Sequence, residues 1–237
     1  MHAIEFNHDW SYRHLGAASE PFVPVTIPHD AMIGEKRSPL AASGFNSGWF
    51  EGRDYEYVRR FTPRASLAGS TMILEFEGVY HNAEVWINGE RVAFRPYGYT
   101  NFTVDATDRL IAGRENEIRV IARNADQPNS RWYSGAGIYR PVTLWVAPRE
   151  YIALDGVTVR TLSIGSPDAA DGERTARVGI TVDTTAAGTV SVDVRRHAGA
   201  PASADDSASA ACGQAAAVEG AAGNGSCRAA PQLDIPG

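Results

Sequence analysis

The chain reads Glu84-Val85-Trp86-Ile87-Asn88-Gly89-Glu90-Arg91-Val92-Ala93-Phe94 at the point that decides its fold. Asn88-Gly89 is a strong signal for a two-residue β-hairpin, because the type I′ turn needs a positive φ at both central residues. Strand-like runs, 84–87 and 91–94, flank it on both sides. The stretch therefore predicts two antiparallel strands joined by a tight turn.

Further strand-like patterns lie on both sides of this hairpin, at 55–61, 72–77, 116–123 and 138–146. No window keeps a helical period, and the best helical candidate, 107–112, is a single short turn. Strands spaced about ten residues apart, with turns between them, predict an all-β protein built as a two-sheet sandwich. Trp49 and Trp86 lie on or beside strands with apolar neighbours, so we expect both in the core.

The amino-acid composition of the chain changes near Pro148. Every Phe, Trp and Tyr except Tyr151 precedes position 150, so the main core must lie there. Strand patterns at 157–160, 178–182 and 190–194, the last two separated by an Ala186-Ala187-Gly188 turn, look like the first three strands of an immunoglobulin-like sandwich. The Ala-rich segment 198–230 cannot bury enough apolar area to offset its ordering entropy, which predicts disorder. The expected organisation is a sandwich at 1–148, a partial immunoglobulin-like sandwich at 149–197, and a disordered segment and chain end at 198–237.

Composition and charge exclude several classes of protein. The 237 residues are 43% hydrophobic and 21% charged, and the formal net charge of −6 argues against a nucleic-acid-binding surface. No window approaches the length of a membrane span. Residues 1–10 lack the basic start and apolar run of a signal peptide, so we expect a cytoplasmic protein. Cys212 and Cys227 have no metal-ligand spacing.

The segment 126–140 carries an unusual set of side chains for a loop between two strands: one Trp, two Tyr and two Arg. Loops that present large aromatic and planar cationic side chains on a rigid β scaffold are often recognition surfaces. A sugar suits such a surface, because its CH faces stack on aromatic rings and its hydroxyls accept and donate hydrogen bonds. The loop therefore predicts a carbohydrate ligand.

Five ordered motifs together resemble one known family. They are Val25-Thr26-Ile27-Pro28-His29-Asp30, Ser47-Gly48-Trp49-Phe50, the run from Phe76 through Asn82 to Gly89, Pro96-Tyr97-Gly98-Tyr99-Thr100-Asn101-Phe102, and the run from Ser130-Arg131-Trp132-Tyr133 through Gly137-Ile138-Tyr139-Arg140. This set resembles the N-terminal sugar-binding domain of glycoside hydrolase family two, the β-galactosidase and β-glucuronidase family. The resemblance is strong over 4–148 and weak over 150–196.

The resemblance implies an order of modules: a jelly-roll, galactose-binding-like sandwich, an immunoglobulin-like domain, then a (β/α)₈ barrel. In such retaining enzymes two glutamates about 5 Å apart perform the chemistry, and the family places both on the barrel. No barrel pattern precedes Gly237, so we expect this chain alone not to hydrolyse a glycoside. The partners that the resemblance implies are a galactoside or related sugar, the catalytic barrel and, in a homo-oligomer, further copies of the enzyme. The family often uses Mg²⁺ and Na⁺, but largely through other parts, so no metal ligand is assigned here.

By motif position, the resemblance makes Asp126 and Asn46 the candidate contacts to the hydroxyls of a terminal sugar. The alternatives without a ligand are a solvated loop carboxylate for Asp126 and a turn residue for Asn46. Trp132 and Tyr133 either stack on a sugar or pack as a cap, on the sandwich or against the barrel. Arg131 is a further substrate-side candidate, although it and Arg140 more simply tie the loop to carboxylates or carbonyls.

Two other pairs of residues mimic catalytic sites. His29-Asp30 has no accompanying nucleophile, so we interpret it as a structural hydrogen-bond pair. Glu75 and Glu77 share one face of a strand, which is usually its solvated side. Two alternatives to the pocket-completing role remain open: a stand-alone lectin-like carbohydrate-binding module, and a structural fragment without ligand affinity.

Overall fold

The structure, a computed structural model, describes residues 1–164, 175–187, 189–192, 216–219, 222–223, 226–229 and 232–236. The chain divides into two compact units, Met1–Pro148 and Arg149–Gly237. The first unit is described throughout and contains every candidate site residue.

Ten strands build the first unit: β1 (His2–Glu5), β2 (Trp10–His14), β3 (Val23–Val25), β4 (Asp54–Phe61), β5 (Thr71–Phe76), β6 (Ala83–Ile87), β7 (Glu90–Arg95), β8 (Phe102–Asp105), β9 (Asn116–Arg123) and β10 (Val142–Ala147). They form a four-stranded sheet in the order β1-β10-β5-β8 and a six-stranded sheet in the order β3-β2-β4-β9-β6-β7. All pairings in these sheets are antiparallel. The predicted all-β sandwich is confirmed.

Short 3₁₀ helices occur in three connections of this unit, at Met32–Gly34, Gly44–Ser47 and Ala65–Leu67. The predicted turn at 107–112 is present, opened by a 2.9 Å hydrogen bond from the Leu110 N–H to the Ala106 carbonyl. The described ranges contain no α-helix. None of their helices is long and apolar enough to cross a membrane.

The core lies between the two sheets and follows from the period-two pattern of the strands. In β5, Met72, Leu74 and Phe76 are buried while the intervening residues point to the other face. In β4 of the opposite sheet, Tyr55 and Tyr57 are fully buried. Burying each such side chain contributes about 1.5–3 kcal/mol, so this two-layer contact is the main stabilising feature.

The hairpin predicted at Asn88-Gly89 joins β6 and β7. Its two central residues have φ values of 50° and 86°, as a type I′ turn requires. The Asn88 side chain also accepts a hydrogen bond from the Glu117 N–H at 2.9 Å and donates one to the Arg109 carbonyl at 2.8 Å. The turn is therefore tied to the start of β9 as well as closing its own hairpin.

The prediction that Trp49 and Trp86 lie in the core is wrong. Val85 and Ile87 point inward, so alternation places Trp86 on the outer face, where it is half-buried and donates to Glu84 Oε2 at 3.3 Å. Trp49 lies outside any strand and is 44% exposed. Apolar neighbours in sequence did not bury Trp86, because adjacent strand positions face opposite sides, and they did not bury Trp49, because a loop has no period that defines a buried face.

The second unit contains β11 (Ile152–Ile164), β12 (Thr175–Thr184), β13 (Thr189–Val192), β14 (Ala216–Glu219), β15 (Ala222–Gly223), β16 (Ser226–Ala229) and β17 (Gln232–Pro236). One sheet has the order β11-β12-β16-β15, with β17 also paired to β12, and β13 pairs with β14. Most of the segment 198–230 lies outside the described residues, so its disorder stays a prediction there; at 216–219, 222–223 and 226–229 the structure has strands instead.

Candidate functional site

One carboxylate joins two loops at the end of the sandwich. Asp30 Oδ1 accepts hydrogen bonds from the Met32 and Ala136 N–H groups at 3.0 and 2.9 Å. Asp30 Oδ2 accepts the Tyr133 hydroxyl proton at 2.6 Å. Burial, followed by the bond to Asp30 and its charge, raises the pKa of Tyr133 well above the ordinary range of a phenol. The loop 126–140 is therefore held against the segment that follows β3.

The sequence prediction paired His29 with Asp30, but the structure gives each residue a different partner. His29 Nδ1 lies 2.9 Å from the Tyr57 hydroxyl, and its main-chain N–H donates to the Ile138 carbonyl at 2.8 Å. Both residues are structural, as expected, although they do not bond to each other. The reason is tertiary: Tyr57 on β4 and the loop 126–140 supply the partners of His29 and Asp30.

Asn124, at the end of β9, organises the inside of the same loop. It is fully buried, and its Nδ2 donates to the Gly135 carbonyl at 3.1 Å. Its Oδ1 accepts from Asn129 Nδ2 at 2.7 Å and Gln127 Nε2 at 3.0 Å. A buried amide with this many partners fixes the loop conformation, since a buried polar group is stable only where its hydrogen bonds are made.

The two residues proposed to touch a terminal sugar lie on adjoining loops. Asp126 is exposed, and its main-chain carbonyl accepts a 2.9 Å hydrogen bond from Asn129 Nδ2. Asn46 is half-buried in the 3₁₀ helix Gly44–Ser47. The loops meet where the Ser43 hydroxyl donates to the Gln127 side-chain carbonyl. The structure therefore brings both candidates to the same end of the sandwich.

Trp132 stands at the edge of a cleft at this end. It is 60% exposed, and its Nε1 donates to the Tyr99 hydroxyl at 3.1 Å. The cleft has a volume of about 540 Å³ and is lined mainly by Tyr80, Tyr97, Tyr99, Asn129, Arg131 and Trp132. Ligand sites in proteins commonly have a few hundred Å³, so this cleft can hold a sugar ring.

The remaining two candidates differ in their surroundings. Tyr133 packs against Phe50, with ring centroids 5.6 Å apart, and its hydroxyl is bound to Asp30. Tyr133 therefore supports the conformation of the loop 126–140. Arg131 is exposed and borders the cleft. The tie to a carboxylate or carbonyl expected of Arg131 is not seen within the described residues, and Arg140 lies over the Tyr139 ring at 5.8 Å.

Comparison with known proteins decides the family of this chain. Residues 10–142, which include the strands β2 to β9 and the whole loop 126–140, match the family described as glycosyl hydrolase 2 galactose-binding domain-like. The chain belongs to glycoside hydrolase family 2. A β-galactosidase of Bacteroides ovatus, BoGH2A, is 37% identical over 174 residues, which are 70% of this chain and 20% of that protein. A putative β-glucuronidase of Formosa agariphila is 36% identical over 141 residues, 59% of this chain and 13% of that protein.

Solved structures of glycosidases share the fold. A β-glycosidase from Bacteroides vulgatus superposes with a TM-score of 0.68 at 30% identity, covering 78% of this chain and 24% of that one. A family-2 member from Bacteroides cellulosilyticus has a TM-score of 0.76 over 99% of this chain and 31% of its own, at 22% identity. The chain thus spans about an eighth to a third of the length of these relatives.

Sequence reasoning on this family-2 chain missed several residues that build the site. Tyr97 and Tyr99 were recognised as part of a family motif, but their role in the cleft was not assigned. The presence of two aromatic residues in the short connection between β7 and β8 could have indicated that role. No sequence feature indicated the roles of Asn124 and Asn129, because the tertiary fold determines their partners.

Neither paired carboxylates nor a metal centre add to this site. Glu75 accepts hydrogen bonds from Trp145 Nε1 at 2.7 Å and Asn101 Nδ2 at 3.3 Å on the outer face of its sheet. This agrees with the solvated-face interpretation. Across the described parts of the chain, no cluster of three or more His, Cys, Asp or Glu side chains is arranged to hold a metal ion.

Proposed function

We propose that this chain is the carbohydrate-binding and supporting portion of a β-galactosidase-like hydrolase, and that its loop end completes the substrate pocket of a catalytic barrel. The observation that carries the proposal is the meeting of the Asp126 and Asn46 loops at the Ser43–Gln127 hydrogen bond. This bond joins the loops of two candidate residues that are 80 positions apart in the chain.

The chemistry of these two side chains suits sugar hydroxyls. A carboxylate such as Asp126 accepts two hydroxyl hydrogen bonds at once, and charge-assisted bonds are about twice as strong as neutral ones. The Asn46 amide offers a donor and an acceptor in one plane. Because Asn124 and Asn129 already hold the main chain around Asp126, little ordering entropy is lost when a sugar binds.

The separation of sugar binding from bond cleavage follows from the retaining mechanism of the family. An acid/base and a nucleophilic carboxyl about 5 Å apart cleave the glycosidic bond, and the proposal places both on the barrel. This chain binds and orients the terminal sugar, so that its binding energy is available for the reaction step. The substrate class is a β-galactoside or a related sugar.

The binding step can be tested on the 237-residue chain. In a titration followed by ¹H–¹⁵N NMR, galactose should shift the amide signals of 124–130 and 43–47, with a dissociation constant in the millimolar range or weaker. Asp126→Ala should remove those shifts, while Asp108→Ala, an exposed carboxylate in the turn 107–112, should keep them. Shifts confined to other parts of the chain would refute the proposed contact.

A second function is favoured by one observation: the aromatic cleft lies entirely within the first unit. A stand-alone lectin-like module needs a complete site of this kind. Calorimetry separates the two functions, because a lectin should bind its sugar with micromolar affinity and a partial pocket should not.

A further inference from the structure

The cleft beside Trp132 has walls of exposed aromatic rings on two different loops. Tyr97 and Tyr99, between β7 and β8, are 58% and 42% exposed, and Trp132 on the facing loop is 60% exposed. The Tyr97 and Tyr99 rings meet edge to face, with centroids 5.6 Å apart and planes inclined by 62°. Such rings leave faces open on which a sugar ring can stack.

Hydrogen bonds hold these walls in place without a ligand. The Tyr139 hydroxyl donates to the Gly98 carbonyl at 2.7 Å, which fixes the loop of Tyr97 and Tyr99. Trp132 is fixed by its bond to the Tyr99 hydroxyl and by the Ser130 hydroxyl, which donates to its main-chain carbonyl at 2.5 Å. A rigid stacking surface costs less entropy on binding than mobile side chains do.

The charge of the cleft lining is positive. Its basic residues are Arg131 and His81, burial lowers the pKa of His81 so that Arg131 carries the charge, and no Asp or Glu lines the cleft. Within the described residues the Arg131 guanidinium makes no hydrogen bond or ion pair, whereas many other Arg side chains of the sandwich, such as Arg13, Arg119 and Arg123, bind carboxylates. A guanidinium presents paired N–H donors that match a carboxylate or a sulfate group.

We propose that this cleft is a separate subsite for a saccharide unit carrying an anionic substituent, a uronate carboxylate or a sulfate ester, with its ring on the aromatic walls and its charge on Arg131. The inference rests on the proposed function for the saccharide class of the ligand. Asp126 does not line the cleft, but Asn129 lines it and binds the Asp126 carbonyl. The two subsites are therefore neighbours, one for neutral hydroxyls and one for a charged ring.

The test uses the 237-residue chain and four probes: methyl β-glucuronide, galactose 6-sulfate, methyl β-galactoside and inorganic sulfate. At low salt, at least one charged sugar should bind about tenfold more tightly than the neutral sugar, as one charge-assisted contact predicts. The stronger of the two charged sugars identifies the anionic group. Added salt should weaken the charged sugars alone. Equal binding of charged and neutral sugars, binding of inorganic sulfate as tight as that of the charged sugars, or no binding of either charged sugar would overturn the proposal.

Variants connect this preference to the cleft. Arg131→Gln should abolish the tenfold preference and leave the neutral sugar unaffected, Arg131→Lys should restore part of it, and Trp132→Ala should weaken the charged sugars. Arg64→Gln, which changes an exposed arginine outside the cleft lining, is the matched control and should bind as the unmodified chain does. An undiminished preference in Arg131→Gln would refute this inference alone, whereas loss of galactose contacts at Asp126 is the separate test of the proposed function.

Discussion

The Tyr133 hydroxyl donates a 2.6 Å hydrogen bond to Asp30 Oδ2, joining two loops that are 103 positions apart in the chain. The other oxygen of the same carboxylate receives the N–H groups of Met32 and Ala136. The bonds from Tyr133 and Ala136 hold the loop 126–140 against the segment that follows β3, and the bond from Met32 orders that segment itself. The candidate sugar site therefore depends on a residue that contacts no proposed ligand.

Replacing Asp30 should destabilise this end of the sandwich. Asp30→Ala leaves the buried Ala136 N–H without its acceptor, which should lower the free energy of unfolding by about 2–3 kcal/mol. Tyr133→Phe removes only the exposed bond and should cost about 1 kcal/mol or less. Urea denaturation followed by fluorescence measures both values. Equal losses in the two variants would contradict the central role given to the carboxylate.

Asp126→Ala should impair catalysis without harming the fold. In the enzyme in which this sequence is joined to its barrel, kcat/KM for a galactoside should fall by the equivalent of about 2–4 kcal/mol, because one charged hydrogen-bond partner of the sugar is lost. Steady-state kinetics and a thermal melt are the measurements, with Asp108→Ala as the control. Unchanged kinetics in the Asp126 variant would reject its proposed contact.

Gly98 is a steric requirement of the cleft. A Cβ atom there would lie 2.6 Å from Cδ2 of the Tyr80 ring and 3.1 Å from the Tyr80 Cα. Gly98→Ala should therefore displace the loop of Tyr97 and Tyr99, costing about 1–3 kcal/mol of stability and weakening saccharide binding. Gly34→Ala is the control, because a Cβ atom at that position would have no neighbour within 4 Å. A Gly98 variant as stable as the Gly34 variant would show that the loop of Tyr97 and Tyr99 can move without a cost in stability.

His14 should make stability depend on pH. Its Nδ1 and Nε2 lie 2.8 Å from Glu20 and 2.7 Å from Glu35. Burial lowers the pKa of His14, but the hydrogen bonds to Glu35 and Glu20 outweigh it, so the pKa is raised overall. The stabilisation is therefore complete below the unfolded pKa near 6.5 and is lost as the pH rises through the folded value.

The effect of His14 is isolated by comparison with His14→Gln, because burial lowers the pKa of His29 and His81, which act in the opposite direction. The difference in melting temperature between the unmodified chain and the variant should be larger at acidic than at alkaline pH. A difference that is constant from one pH to the other would contradict the paired state of His14.

Much of the sandwich could be predicted from local patterns. Alternation in β5 correctly identified one buried face, and Asn88-Gly89 correctly located the β6–β7 turn, since both signals act within a few residues. The same reasoning failed for Trp86, whose apolar neighbours Val85 and Ile87 occupy the opposite face. Trp49 failed because it lies in a loop, where no period defines a face.

The candidate site was only partly predictable. The aromatic loop around Trp132 and the candidates Asp126 and Asn46 were visible as residue types in a motif. The residues that hold this loop in place were not visible in the sequence, because nothing in the residue type of Asn124 indicates its hydrogen-bond partners. The bond between Trp132 and Tyr99 links positions 33 apart, and no local pattern specifies such a contact.

By itself, the sequence determined the all-β class, six of the ten strands of the sandwich (β4, β5, β6, β7, β9 and β10) and the aromatic loop 126–140, because these depend on side-chain periodicity and turn chemistry over short distances. The tertiary structure alone decided which loops meet at the end of the sandwich, that Tyr133 supports the loop while Trp132 borders a cleft, and that Arg131 has no acidic neighbour there. Those outcomes depend on how two twisted sheets pack, which brings residues from distant parts of the chain into hydrogen-bonding range.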